Sequence, residues 1–292
     1  MADSIVLTAA DYKTDTKITW CAGCGDYAVV SSLHKAAAML NIPKHQLLVV
    51  SGIGCSSNLP NFIHSYGFHG LHGRSLPVAA GAKLANHGLK IVVTGGDGDG
   101  YGIGMGHFIH NARRNFDITY IVMDNEIYGL TTGQCSPTSE RDMKTKSTPE
   151  GNHENPINPI SIAISAGATY VARGFSGEPD HLTKLMADAI AHKGFSLIDV
   201  FSPCVTYNHQ NTYPWFKERV YKLEDTDHPT DNFEKAMIKS LEWGAKIPIG
   251  LLYKTSKPLY EEDEPALKKG PLALQPVGHS PETLEKIYQS FI

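Results

Sequence analysis

From about residue 26 to residue 202, short β-branched apolar runs alternate with stretches of helical periodicity. Val29, Val30, Leu33, Ala37 and Leu40 recur at helical spacing behind Asp26, a capping residue, and Pro43 closes the segment. Leu47-Leu48-Val49-Val50, Ile91-Val92-Val93-Thr94, residues 118–123, Tyr170-Val171 and residues 197–201 read as buried strands. Helices are predicted over residues 77–87 (closed by Gly88), from the glycines after Thr94 through Asn111, over 160–166 and over 179–192. A polar segment from Asn125 to Pro159 has little periodicity. Strands apolar on both faces and separated by helices predict an α/β fold, with a mostly parallel sheet flanked by helices. Ligands then gather at the carboxyl ends of the strands.

Beyond Cys204 the pattern changes. Tyr207, Tyr213, Trp215, Phe216 and Tyr221 crowd together, an acidic run follows at Glu261-Glu262-Asp263-Glu264, and residues 281–291 form a last helical pattern. The expectation is an α/β domain over residues 1–206. Residues 207–292 are expected to form a C-terminal extension that packs on the core or on a partner subunit.

Hydrophobic residues make up 41% of the 292, enough for a packed core, which excludes wholesale disorder. The net charge of −4 offers no footprint for nucleic acid or an anionic membrane. No run approaches the roughly 20 apolar residues of a membrane span, and Met1-Ala2-Asp3-Ser4 lacks the features of a signal peptide. A cytoplasmic chain is expected. Its 5 cysteines are then reduced, and closely spaced ones hold a metal more readily than they form disulfides.

Glycine takes seven of the twelve positions from Gly95 to Gly106. The dinucleotide fingerprint cannot be aligned there, a P-loop lysine is absent, and an EF-hand register puts Phe108 where its glutamate belongs. What remains is a strand end carrying Asp97 between glycines. That suits a magnesium-bound diphosphate, with Asp97 on the metal and glycine amides facing phosphate. Asn125 follows 28 residues later, at the end of the next strand. One strand–helix–strand unit of that length returns the chain beside its start, so the two residues can share one metal.

Cys21 and Cys24 form a C-x-x-C pair, Cys55 lies in the loop after a strand, and Cys204 follows the last strand of the α/β pattern. Four such thiolates suit one [4Fe–4S] cluster or one zinc, although zinc more often shows a second close pair. Cys135 is left over as a loop thiol. A zinc-stapled scaffold that binds a partner through its aromatic tail would explain the cysteines but leave Asp97 and Asn125 idle. Colour separates the two readings, since zinc–thiolate is colourless and an iron–sulfur protein is brown. The pairs His69/His72 and His107/His110 have metal-like spacing but no evident third ligand.

The Gly96-Asp97-Gly98 to Asn125 spacing resembles the diphosphate-binding motif of thiamine diphosphate enzymes. The segments Trp20–Asp26, Gly52–Ser57, His72-Gly73-Arg74, Tyr128–Gln134 and Ser136–Ser139 resemble the β subunit of 2-oxoacid:ferredoxin oxidoreductases, over about residues 18–208. Within that family the 2-oxoglutarate branch looks most similar, with pyruvate second. The resemblance implies thiamine diphosphate-dependent decarboxylation, one-electron transfers through one [4Fe–4S] cluster to ferredoxin, and acyl transfer to coenzyme A. It implies Asp97, Asn125 and the Ile127 carbonyl as Mg2+ ligands. Ile53, Gly54, Cys55, Ser56, Gly98, Asp99, Gly129 and Leu130 would line thiamine diphosphate, and Cys21, Cys24, Cys55 and Cys204 would hold the cluster. Several relatives carry a cation after Cys-Ser-Ser, where this chain has Asn58. His69, His72, Arg74 or the partner chain would then meet a distal substrate carboxylate, and Asn58 and Leu130 border the reacting substrate. An α subunit is expected to supply the pyrimidine-binding domain, in a heterotetramer with two copies of each chain.

Overall fold

The computed structural model describes residues 6–276 and 278–292. Met1–Ser4, read above for a signal peptide, lies outside the described residues. Six parallel strands form the body of the sheet: β1 (Leu47–Ser51), β2 (Tyr66–His69), β3 (Lys90–Gly96), β4 (Thr119–Asp124), β5 (Tyr170–Phe175) and β6 (Ser196–Phe201). Two more strands, β7 (Val220–Lys222) and β8 (Ile247–Lys254), complete the order β2-β1-β3-β4-β6-β5-β8-β7, with β8 antiparallel to β5. The C-terminal segment thus adds strands to the same sheet.

Five helices cover the two faces: α1 (Asp26–Met39), α2 (Ser75–Ala85), α3 (Met105–Arg114), α4 (Pro159–Ala166) and α5 (Pro179–Ala191). Side chains alternate between the faces along each strand. Val92, Ile121 and Ile198 pack with Leu33 of α1 and Met186 of α5. Their neighbours Val93, Val122 and Leu197 point the other way, against Phe108 of α3 and Ile160 of α4. Every residue of β4, β5 and β6 is buried, which explains the apolar runs read for β4 and β6; β5, read only at Tyr170-Val171, continues through Arg173 to Phe175.

The later helices α6 (Tyr213–Lys217), α7 (Phe233–Ser240), α8 (Tyr260–Asp263) and α9 (Pro281–Gln289) lie outside this frame. The predicted crowd of aromatics is real packing: Phe216 stacks on Phe201 at 4.4 Å between ring centroids. The helix expected directly after the glycines is split instead. Residues 98–103 form a wide π-type turn, and α3 starts only at Met105.

Candidate active site

β3 and β4 are adjacent and parallel, with Gly96 opposite Met123. Asp97 and Asn125 therefore leave the sheet side by side, as the 28-residue spacing predicts. They line one cavity with Ile53, Gly54, Cys55, Ser56, His72, Gly98, Asp99, Ile127, Tyr128, Gly129 and Leu130. The parallel register carries these residues to the carboxyl edge, where a doubly wound sheet binds its ligand.

Asp97 is buried, and its Oδ2 accepts a 2.7 Å hydrogen bond from Thr138 Oγ1. Burial pushes its carboxyl above the usual range, an arrangement that favours a cation beside it. Thr138 Oγ1 also stands 2.8 Å from Asp124 Oδ1. The side chain of Asn125 accepts from the Ile127 amide at 3.1 Å, closing a tight turn, and Asn208 Nδ2 donates to the Asn125 carbonyl at 2.9 Å. Asp99 plays a different part. Its Oδ1 accepts from the amides of Ile53 at 2.9 Å and Gly73 at 2.7 Å, with His72 Nδ1 3.1 Å away. It staples two loops together on the cavity wall. Burial raises its carboxyl and those amides lower it.

The glycines prove to be spaces for side chains as much as bends. A Cβ on Gly98 would fall on the Tyr128 ring, and one on Gly100 on the Tyr120 hydroxyl. Gly96 differs, because its nearest neighbour there is Ser56 Oγ at 3.5 Å. That hydroxyl is buried with no hydrogen-bond partner among the described residues. A bare backbone facing an unpaired hydroxyl is a cradle suited to an acceptor-rich diphosphate.

The cysteines assemble from three segments. A Cβ on Gly25 would sit 2.7 Å from the Ser202 backbone, so only glycine lets the start of α1 approach the end of β6. The Gly25 amide donates to the Pro203 carbonyl, and Ser202 Oγ donates to Asp26 at 2.7 Å. This brings Cys24 to Cys204. Trp20 Nε1 donates to the Cys55 carbonyl at 2.7 Å, tying in the third segment. From the Cβ position of Gly129, the sulfurs of Cys204 and Cys55 are 3.4 and 3.9 Å away. The Cys55 thiol is pushed up to about 12 by burial, then by the charges of Asp26, Cys204 and Cys21; Cys24 is raised further, again by burial first. Such thiols become thiolates when a metal replaces the proton. Cys135 packs against the group formed by Ile127, Met143 and Cys204, its Sγ 3.3 Å from Thr148 Oγ1.

Three sequence candidates do not line the cavity. His69 is exposed on edge strand β2, Arg74 is drawn outward to His107 Nε2 at 2.8 Å, and Asn58 sits within the turn that follows Cys55. Of the residues expected to meet a substrate carboxylate, His72 alone reaches the cavity. Sequence reasoning missed Thr138 as a polar link behind Asp97, although Ser136–Ser139 carried part of the family likeness.

A family model described as the thiamine pyrophosphate enzyme C-terminal TPP-binding domain matches residues 45–200. A second, the C-terminal part of the pyruvate ferredoxin oxidoreductase β subunit, matches residues 204–269. The 2-oxoacid:ferredoxin oxidoreductase 1 subunit beta of Aeropyrum pernix is 44% identical, over 97% of this chain and 96% of the relative. This chain belongs to the β subunits of the 2-oxoacid:ferredoxin oxidoreductases. The 2-oxoglutarate synthase subunit KorB of Archaeoglobus fulgidus is 38% identical over 84% of this chain and 88% of its own length. A solved structure, the 2-oxoglutarate:ferredoxin oxidoreductase from Magnetococcus marinus with 2-oxoglutarate, coenzyme A and succinyl-CoA bound, superposes with a TM-score of 0.89. It is 41% identical and covers 96% of each chain. As a β subunit, this chain works with an α subunit. Among the described residues no helix is long and apolar enough to cross a membrane.

Proposed function

We propose that the chain is the β subunit of a coenzyme A-dependent oxidoreductase whose substrate is 2-oxoglutarate, yielding succinyl-CoA and CO2 and reducing ferredoxin. The observation that carries the reading is one cavity holding Asp97, Asn125, Ile127 and Cys55 together. Asp97, the Asn125 side-chain oxygen and the Ile127 carbonyl would hold Mg2+, a hard ion that takes oxygen ligands. Gly96, the unpaired Ser56 hydroxyl and the Gly98 turn would receive the diphosphate. Thiamine diphosphate supplies the electron sink for decarboxylation. Cys21, Cys24, Cys55 and Cys204 would hold a [4Fe–4S] cluster, with Cys55 on the cavity wall so that the electron path between cofactor and cluster is short.

Ile53 and Leu130 would form an apolar rim over the cofactor, with Gly54 and Gly129 beside them. His72, oriented by Asp99, would offer its imidazole to the substrate from this chain, and the α subunit would provide the remainder in a heterotetramer. Two family models adjoining between residues 200 and 204 support a cofactor-binding domain to residue 206 and an extension from 207, the latter built into the common sheet through β7 and β8. Cysteines that hold a cluster and form no disulfide suit a cytoplasmic location. Steady-state assays of the reconstituted complex test the substrate. We expect kcat/KM for 2-oxoglutarate to exceed that for pyruvate; the reverse order overturns the assignment.

A further inference from the structure

The two edges of the sheet are defended differently. At one edge, β7 carries Lys222 and is flanked by Arg219 and Glu224. Charges of that kind keep an edge strand from pairing with another chain. At the other edge, β2 pairs with β1 alone among the described residues, and all four of its residues are exposed. Between Lys44 and Arg74 the sequence has no Asp, Glu, Lys or Arg, although these types make up 19% of the chain. Tyr66 and Phe68 project from one face of β2, 58% and 49% exposed. An uncharged edge carrying aromatic side chains is an open template for strand pairing, and aromatic enrichment with charge depletion marks the centre of an interface. The apolar surface does not stop at the strand. The Phe68 ring lies 3.5 Å from the Cβ position of Gly70, and Leu71 beyond it is 73% exposed. The Arg74 amide donates to the Leu71 carbonyl at 3.0 Å, and a Cβ on Gly73 within that turn would fall on the side chain of Ile103, itself 57% exposed. Asp99 ties the Gly73 amide to that of Ile53, which lines the cofactor cavity. Apolar exposure therefore runs from the β2 edge around the corner of the sheet to the cavity mouth.

We propose that the α subunit lays an extended, uncharged segment along β2 and continues over Leu71 and Ile103 to the mouth of the cofactor cavity. Main-chain hydrogen bonds to β2 hold the segment, and its apolar side chains meet Tyr66 and Phe68, as in other cases of strand addition. The inference rests on the reading that the α subunit closes this cavity, and continuity with the mouth selects that occupant. Two copies of this chain joined edge to edge at β2 by a two-fold axis normal to the sheet would run their strands antiparallel. The second copy's cavity would then open at the opposite end, leaving Leu71, Ile103 and Ile53 bare. An acidic carrier protein fits worse, because the edge offers it no Lys or Arg.

The test uses the assembled oxidoreductase, produced with the photoreactive p-benzoylphenylalanine in place of Phe68. Irradiation should crosslink this position to the α subunit, and peptide mapping should place the crosslink in an uncharged segment. A crosslink to a second β subunit, or none, overturns the proposal. Independently, Phe68→Lys should raise at least tenfold the concentration at which the complex dissociates, followed by sedimentation. Ile238→Lys, at an exposed position on α7, should change it less than twofold. Equal effects of the two variants overturn the proposal as well. Turnover by this chain without an α subunit would overturn the underlying reading. A crosslink between β subunits, in an enzyme that needs its α subunit, overturns this inference alone.

Discussion

Thr138 has one hydroxyl proton and stands within hydrogen-bond distance of two carboxyl groups, Asp97 at 2.7 Å and Asp124 at 2.8 Å. A carboxyl group that ligates a metal must be ionised, so Thr138 donates to Asp97 and the second contact needs a proton on Asp124. Burial, with the charges of Asp199, Asp97 and Glu126, holds Asp124 well above the usual carboxylate range, which agrees with that count. Thr138→Val keeps the shape and removes the donor. Thiamine diphosphate and Mg2+ affinity should fall by about 10–100-fold, the usual effect of losing an outer partner of a ligand, while the cluster absorbance stays. Unchanged affinity in a magnesium titration would show that Thr138 does not orient Asp97. Asp97→Ala should abolish cofactor retention altogether and leave the brown colour. Tight, magnesium-independent retention in that variant would remove Asp97 from the metal site.

At the scale of elements, the junction between α1 and the end of β6 carries the cysteine assembly. Gly25→Ala forces a methyl into the Ser202 backbone. It should cost about 1–3 kcal/mol, as overpacking does, seen as a lower unfolding midpoint together with reduced iron content. Cys24→Ser should bleach the cluster, because a hydroxyl is a poor ligand for a soft site; Cys135→Ser should not. Equal iron loss in the two variants would refute the ligand set. The central strands were legible because burial on both faces leaves uninterrupted apolar runs, and the Asp97–Asn125 pairing because strand–helix–strand geometry sets its length. β2 was illegible, since all four of its residues are exposed at the sheet edge. β8 was masked by Pro248 and Gly250, residues that argue against a strand; Pro248 lies where β8 pairs with β7, and Gly250 where the pairing passes to β5. Arg173 within β5 carried no sign that it faces buried carboxyl groups across the sheet.

At the scale of the molecule, the cavity mouth keeps Ile53 at 38% and Leu130 at 55% exposure, an apolar rim that suits a covering subunit. Among the described residues the strands form one sheet, which the C-terminal segment lengthens. The pyrimidine-binding domain is then expected from the α subunit. Expressed alone and loaded with iron, Mg2+ and thiamine diphosphate, this chain should reduce no dye with any 2-oxo acid, and adding the α subunit should restore turnover. Full activity of the isolated chain would refute this.

The placement of Cys204 just past β6 also sets an order of events during synthesis. The fourth sulfur leaves the ribosome 183 residues after the first, and it reaches Cys24 only when β6 has inserted between β4 and β5. The pairing is non-local, the slow kind to form. Were the four cysteines to hold the proposed cluster, Cys21, Cys24 and Cys55 would until then be an incomplete ligand set, and cluster insertion would be a checkpoint on the closing of the sheet.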